Sequence, residues 1–133
     1  MYRAVSFRYA QPIEWEYDEQ GYPVRPGGRA LVEEIRTLLT AAGCRMSEVE
    51  QHEDYGWGFS CRVGKDYFYN VLNPVDDDVY LTIEMEWYQV KRLLLRKPLL
   101  AFDRYCGLVG AALALMAGLS EIHWDSELSL SQD

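Results

Sequence analysis

His52, Glu53 and Asp54 are the residues whose types come nearest to catalytic machinery, since an imidazole beside two carboxylates has the groups to exchange a proton or hold a cation. Their spacing works against both uses. They fall at the end of a weak strand over 46–53, where neighbours point to opposite faces, so His52 and Glu53 diverge. No second histidine stands nearby, and the HExxH spacing of a zinc site is missing. Asp76-Asp77-Asp78 offers hard oxygen ligands, but without the alternating ligands, central glycine and distal glutamate of a calcium loop; it reads as a solvated acidic turn. Cys44, Cys61 and Cys106 contain no CxxC pair, which argues against zinc, and three widely spaced cysteines do not make a disulfide framework. Cys61 and Cys106 lie on core-facing patterns, as small buried hydrophobes do. His123, between Ile122 and Trp124, reads as structural. There is no GxSxG, P-loop or dinucleotide fingerprint, and Gly107 and Gly110 fall inside a helix pattern rather than a phosphate loop. The expectation is a chain that is not an enzyme and has no catalytic residue, metal site or cofactor.

What remains is a polar strand face. Arg62, Tyr67, Tyr69, Tyr80, Thr82, Glu84 and Glu86 combine aromatic area with charge, and Tyr and Arg are enriched at binding hot spots. A solvated face that uses tyrosine for cross-strand packing has the same composition. Charge adds to the binding reading. Thirteen Lys and Arg face twenty-one Asp and Glu, a net charge of −8, and residues 44–88 hold ten of the acids and three of the bases. A nucleic-acid binder needs the opposite sign to displace counterions from phosphates. A local anionic field favours a cationic protein partner and speeds its approach, although acidity of this size also serves solubility alone. The candidate partner-binding residues are therefore Arg62, Tyr67, Tyr69, Asp76, Asp77, Asp78, Tyr80, Glu84 and Glu86.

The elements that must position this face follow from periodicity. Arg3–Tyr9 alternates as a strand, with Val5, Phe7 and Tyr9 on one side. Residues 10–28 carry three prolines and the Gly27-Gly28 pair; Ile13–Tyr17 and Tyr22–Arg25 fit a short hairpin within this long connection. Arg29–Ala42 is an amphipathic helix, with Leu31, Ile35, Leu38, Leu39 and Ala42 at helical spacing and Gly43 to end it. Trp57–Leu72 predicts a hairpin about Gly64-Lys65, a two-residue loop suited to a type II′ turn. That turn sets the register: Val63 faces Asp66, Cys61 faces Phe68, Phe59 faces Asn70 and Trp57 faces Leu72, leaving Arg62, Tyr67 and Tyr69 on the other face. Asn73–Asp78 reads as a turn. Val79–Trp87 alternates next, sending Val79, Leu81, Ile83, Met85 and Trp87 to the core and Tyr80, Thr82, Glu84 and Glu86 to the face of Tyr69, provided the two strands pair. Pro98 opens a helix that runs to about Gly118, apolar nearly all round and so expected to be buried. Glu121–Trp124 is a last strand, and residues 125–133 are expected to fray.

The fold class expected is a single α+β domain over 1–133, a two-layer arrangement with a mostly antiparallel sheet of four to six strands and two main helices packed on one face. Ten Tyr, four Trp and four Phe supply a sizeable core. The start of the chain lacks the apolar stretch of a signal peptide, and the longest apolar run, Tyr105–Leu119, is shorter than the roughly 20 residues that span a bilayer. A cytoplasmic location, with neither membrane nor nucleic acid as partner, is the expectation.

Residues 53–87 resemble the small bacterial immunity proteins of interbacterial toxin systems, delivered by type VI secretion or by contact. Glu53-Asp54-Tyr55-Gly56-Trp57-Gly58-Phe59 leads into the Gly64 hairpin, and a Tyr-rich strand, an acidic turn and Val79–Glu84 follow. The helix ending in Ala41-Ala42-Gly43 and the late Ile122-His123-Trp124 fit the same outline. The resemblance implies a protein that binds a cognate toxin domain and covers its active site, here one with a basic cleft that an acidic inhibitor complements. Two other readings stand beside it. Type III secretion chaperones are also small, acidic and α+β. A small-molecule binder or enzyme would place its site between the sheet and the 10–28 segment, using Trp15, Tyr17, His52 or Glu53.

Overall fold

A computed structural model describes residues 2–85 and 96–125. The strands among them are β1 (Tyr2–Tyr9), β2 (Glu16–Tyr17), β3 (Pro23–Arg25), β4 (Arg45–Met46), β5 (Glu50–His52), β6 (Gly56–Val63), β7 (Asp66–Val75), β8 (Asp78–Met85) and β9 (Leu119–Trp124). The helices are α1 (Arg29–Ala41) and α2 (Arg96–Leu115). Glu86, Trp87, the rest of 86–95 and the expected frayed tail beyond 125 lie outside the described residues.

The central hairpin forms in the expected register, Val63 opposite Asp66, Cys61 opposite Phe68, Phe59 opposite Asn70 and Trp57 opposite Leu72. Gly64 takes φ 61°, the left-handed value a II′ turn demands at its first position, while Lys65 does not. The strand after the acidic turn pairs with β7, as the expected common face requires, with Tyr69 opposite Glu84 and Asn73 opposite Tyr80. β1 then pairs with β8, and β9 with β1.

The sheet has seven strands rather than four to six, in the order β4-β6-β7-β8-β1-β9 with β5 also on β6. Every pairing among the described residues is antiparallel. The extra strand comes from Ser47. Its amide donates to the Ser60 carbonyl at 2.9 Å, but the Ser60 amide donates to the Ser47 hydroxyl rather than to a backbone oxygen, at 2.8 Å. A side chain in the ladder turns the chain aside, so the weak 46–53 strand becomes β4 and β5 along one edge of β6.

The acidic turn is tighter than expected. β7 runs through Pro74 to Val75, leaving Asp76-Asp77 as the connection, with Asp76 at φ 54°. Proline is tolerated there because β7 outruns β6, whose pairing ends at Trp57–Leu72.

One core joins both helices to the sheet. Val5, Phe7, Phe59, Cys61, Phe68, Leu72, Val79, Leu81, Ile83 and Met85 meet Leu31, Val32, Ile35 and Leu39 of α1 and Phe102, Tyr105, Val109 and Leu113 of α2. Phe68 stacks on Tyr105 with ring centroids 4.3 Å apart, and α1 touches α2. The fully buried Asn70 is satisfied within this core: it accepts the Tyr105 hydroxyl at 2.8 Å and donates to the Phe59 carbonyl at 3.3 Å. α2 is not buried all round. Gly107, Ala111, Ala114 and Leu115 are exposed, because the stripe 102, 105, 109, 112, 113 and 116 already fills the space over the sheet. Ala42, expected on the buried face of α1, is exposed, and Val32 is buried there.

The 10–28 segment is held at its start, its middle and its end, beginning with the Ala10 amide, which donates to the Gly118 carbonyl at 2.8 Å. Asp18 accepts the amides of Gln20 and Tyr22, each at 2.9 Å, and closes the β2–β3 hairpin. Trp57 Nε1 is 3.2 Å from the carbonyls of both Pro26 and Gly27.

Candidate functional site

The outward face of β6 carries Gly56, Gly58 and Ser60, a nearly bare track between β5 and β7. Tyr69 of β7 lies across it. A Cβ on Gly58 would overlap the Tyr69 hydroxyl, so only glycine lets the ring reach β5. There the hydroxyl meets His52 Nδ1 at 3.0 Å, either donating to an ε-protonated ring or accepting from a δ-protonated one. The His52 ring packs on Tyr55 and Tyr69, with centroids 5.5 and 5.7 Å away. Burial raises the pKa of the Tyr69 hydroxyl, and Glu50, Tyr55 and Glu84 add to the rise. Tyr69 therefore keeps its proton at neutral pH.

Glu84 stands opposite Tyr69 on one side and Tyr2 on the other, so Tyr2, Glu84, Tyr69 and Ser60 form one row across four strands. Tyr67, Tyr69, Glu84, Ser60 and Phe68 line a cleft of about 240 Å³. Among the described residues neither Glu50 nor Glu84 takes part in a salt bridge.

The other candidate residues are spread along the sheet. Arg62 sits opposite both Arg45 and Tyr67; it relieves the like-charge pairing by stacking 5.1 Å over the Tyr67 ring and donating to the Gly64 carbonyl at 3.0 Å. Asp76 and Asp77 form the hairpin tip at the far end of β7, roughly 30 Å from Tyr67 at a strand's rise per residue. Asp78 is 3.5 Å from Arg8, which also pairs with Glu121 at 2.9 Å. Tyr80 is 40% exposed in that same half. The structure therefore brings together Tyr67, Tyr69 and Glu84, sets Arg62 beside them, and leaves Asp76, Asp77, Asp78 and Tyr80 as a separate region whose charge is partly compensated. Glu86 lies outside the described residues.

Sequence reasoning did not place Glu50, Tyr55 or Gly58 on this face, and it weighed His52 only for catalysis, metal or a small-molecule site. The readable signal was the run of small residues at 56, 58 and 60 beside a tyrosine, given the register already in hand. Glu53 turns out to have φ 53° and ends β5, so its neighbour His52 is directed by the sheet toward Tyr69.

A second cavity, about 480 Å³, lies between the 10–28 segment and the start of α1. Glu14, Glu16, Arg25, Arg29 and Trp57 are among its lining residues, and Arg29 stacks 5.3 Å over the Trp57 ring. Trp15, Tyr17, His52 and Glu53, expected at a site here, do not line it.

The three thiols are buried. Burial pushes Cys61 up to about 12, helped by the adjacent Cys44, and pushes Cys106 up to about 11. Burial also holds the Tyr105 hydroxyl well above the usual phenol range. Below the unfolded thiol value of 9.0 these groups are neutral in both states. Above it the unfolded chain releases protons that the folded chain keeps, so stability present below pH 9 is lost as pH rises toward 11 and 12. Urea midpoints should accordingly hold steady from about pH 7 to 8 and fall between about 9 and 11. A midpoint unchanged to pH 11 would contradict this placement of the thiols.

Among the described residues no group of three or more His, Cys, Asp or Glu is placed to hold a metal ion, and no helix is long and apolar enough to cross a membrane. Compared with known proteins, the chain matches no family model, no curated protein and no solved structure.

Proposed function

We propose that this chain is a protein-binding inhibitor of the immunity type. It acts in the cytoplasm, sets one face of its sheet against a cognate toxin domain, and covers that domain's basic active-site cleft. The observation that carries the reading is the row Tyr2–Glu84–Tyr69–Ser60 with its neighbours Tyr67, Glu50, His52 and Tyr55. It combines rigid aromatic area with carboxylates that have no salt-bridge partner among the described residues, the composition of an interface anchor for a cationic surface. The reading takes both helices to lie against the opposite face, leaving this one for the partner. The excess of acid in residues 44–88 supports the charge sense.

The test is to mix the purified chain with the product of the gene adjacent to its own. A one-to-one complex is expected, with an association rate falling at least roughly tenfold between about 50 and 500 mM salt while dissociation changes little. Failure to form a complex, or association indifferent to salt, would remove the support for this reading.

The 480 Å³ cavity favours a second reading, a small-molecule site that uses the Trp57 ring with Arg25 and Arg29. Under that reading a nucleotide or metabolite should raise the melting temperature of the wild-type chain but not of Arg29→Ala. No shift from any compound in such a screen would count against it.

A further inference from the structure

We propose that the cleft lined by Tyr67 and Tyr69 is a socket for one arginine side chain of the protein partner, with its guanidinium against the aromatic walls and on the Glu84 carboxylate. This deepens the proposed function and rests on it.

The first support is spacing. Tyr67 and Tyr69 are two apart on one strand and share a face. Both line the same cleft, Tyr69 with its ring leaning over Gly58 and Tyr67 beside it. A cleft walled by two aromatic side chains favours a planar guanidinium over an ammonium.

The second support is chemistry at the slot. Glu84 and Ser60 line the cleft along with the rings, so a cation entering it meets aromatic faces and a carboxylate together. Glu50 stands opposite Gly58, the residue that the Tyr69 hydroxyl overlies, and so adds negative charge near that ring. A phosphate or carboxylate ligand would be repelled by the same two groups.

The third support is an example within the chain. Arg62 already stacks on the Tyr67 ring at 5.1 Å, so this tyrosine offers a face to a guanidinium in the isolated protein. Arg62 itself does not line the cleft.

Argininamide is the probe, titrated into the isotopically labelled chain while amide signals are followed. Saturable shifts centred on Ser60, Tyr67, Phe68, Tyr69 and Glu84 are expected, with a Kd on the order of a few millimolar for a ligand of this size. Lysinamide should bind more weakly, and citrullinamide, the neutral isostere, should leave those signals in place. Glu84→Gln should weaken argininamide at least about fivefold, and Tyr67→Leu should do the same while preserving apolar volume. Well-dispersed spectra of both variants establish that each remains folded.

Three results would overturn the socket: equal shifts from citrullinamide, shifts scattered over the acidic surface without these residues, or argininamide binding indifferent to both variants. Each leaves the partner-mixing experiment free to succeed. Absence of a partner complex alongside a normal argininamide response would instead sink the functional reading and spare the socket.

Discussion

Gly58→Ala is expected to weaken the proposed partner complex by roughly a hundredfold, the loss typical of removing a central aromatic anchor, while the chain stays folded. The added methyl would occupy the place of the Tyr69 hydroxyl. A tyrosine ring is the movable party in that clash, so the ring swings away rather than the backbone. It then loses the 3.0 Å contact to His52 and ceases to wall the cleft with Tyr67. The stability cost should be about 1 kcal/mol, the worth of one partly buried hydrogen bond. Gly107→Ala serves as the control, because a Cβ there meets nothing within 4 Å and alanine suits a helix better than glycine. Titration calorimetry with parallel melts separates the two effects. Full affinity in Gly58→Ala would mean that Tyr69 does not anchor the partner.

Tyr105→Ala should cost about 3–5 kcal/mol, the largest stability loss expected here, against a total of about 5–15 kcal/mol for a domain of this kind. It removes the ring stacked on Phe68, opens a cavity beneath fully buried neighbours, and takes the hydrogen-bond donor from Asn70 Oδ1. Tyr105→Phe separates these contributions. It keeps the stack and the volume but leaves a buried acceptor unpaired, for a loss of about 1–3 kcal/mol. Urea titrations of the two variants give both numbers. Equal losses would place the whole effect in the hydroxyl and contradict the packing described for α2 over β7.

Much of this fold is legible in the residues, for reasons that can be named. Gly64-Lys65 suits a type II′ turn, and that turn carries the register of the central hairpin into every facing pair from Val63–Asp66 to Trp57–Leu72. The alternation of Val79–Met85 separates core from surface without an exception among the described residues. The helix α1 follows from Leu31, Ile35 and Leu39, with only Val32 and Ala42 exchanging roles at its margins.

The remainder depends on contacts that periodicity does not encode. Ser47 splits a strand because its hydroxyl competes with backbone for the Ser60 amide, a choice settled by the position of β6. Pro74 reads as a turn residue, yet stays in β7 because β6 has already ended beside it. α2 looks buried all round because glycine and alanine are counted as apolar, whereas Gly107, Ala111 and Ala114 face outward, and Leu100 and Leu115 are exposed with them.

The candidate site shows the same division. Tyr67, Tyr69 and Glu84 are assigned to one face by alternation alone, and the pairing of β7 with β8 brings them together. The acidic tip is drawn into the same list by charge, but distance along β7 and the pairing of Asp78 with Arg8 set it apart. Glu50, His52 and Tyr55 come from a short edge strand and its left-handed turn at Glu53, where single-chain patterns are weakest.

Hydrogen exchange on the chain, alone and saturated with the product of the adjacent gene, tests the claim that this sheet face receives a protein partner. Slowed exchange should concentrate in 50–60, 67–71 and 80–84, with the 10–28 segment and α2 unchanged. Protection confined to the 10–28 segment or to α2, with 67–71 exchanging as in the free chain, would contradict the account.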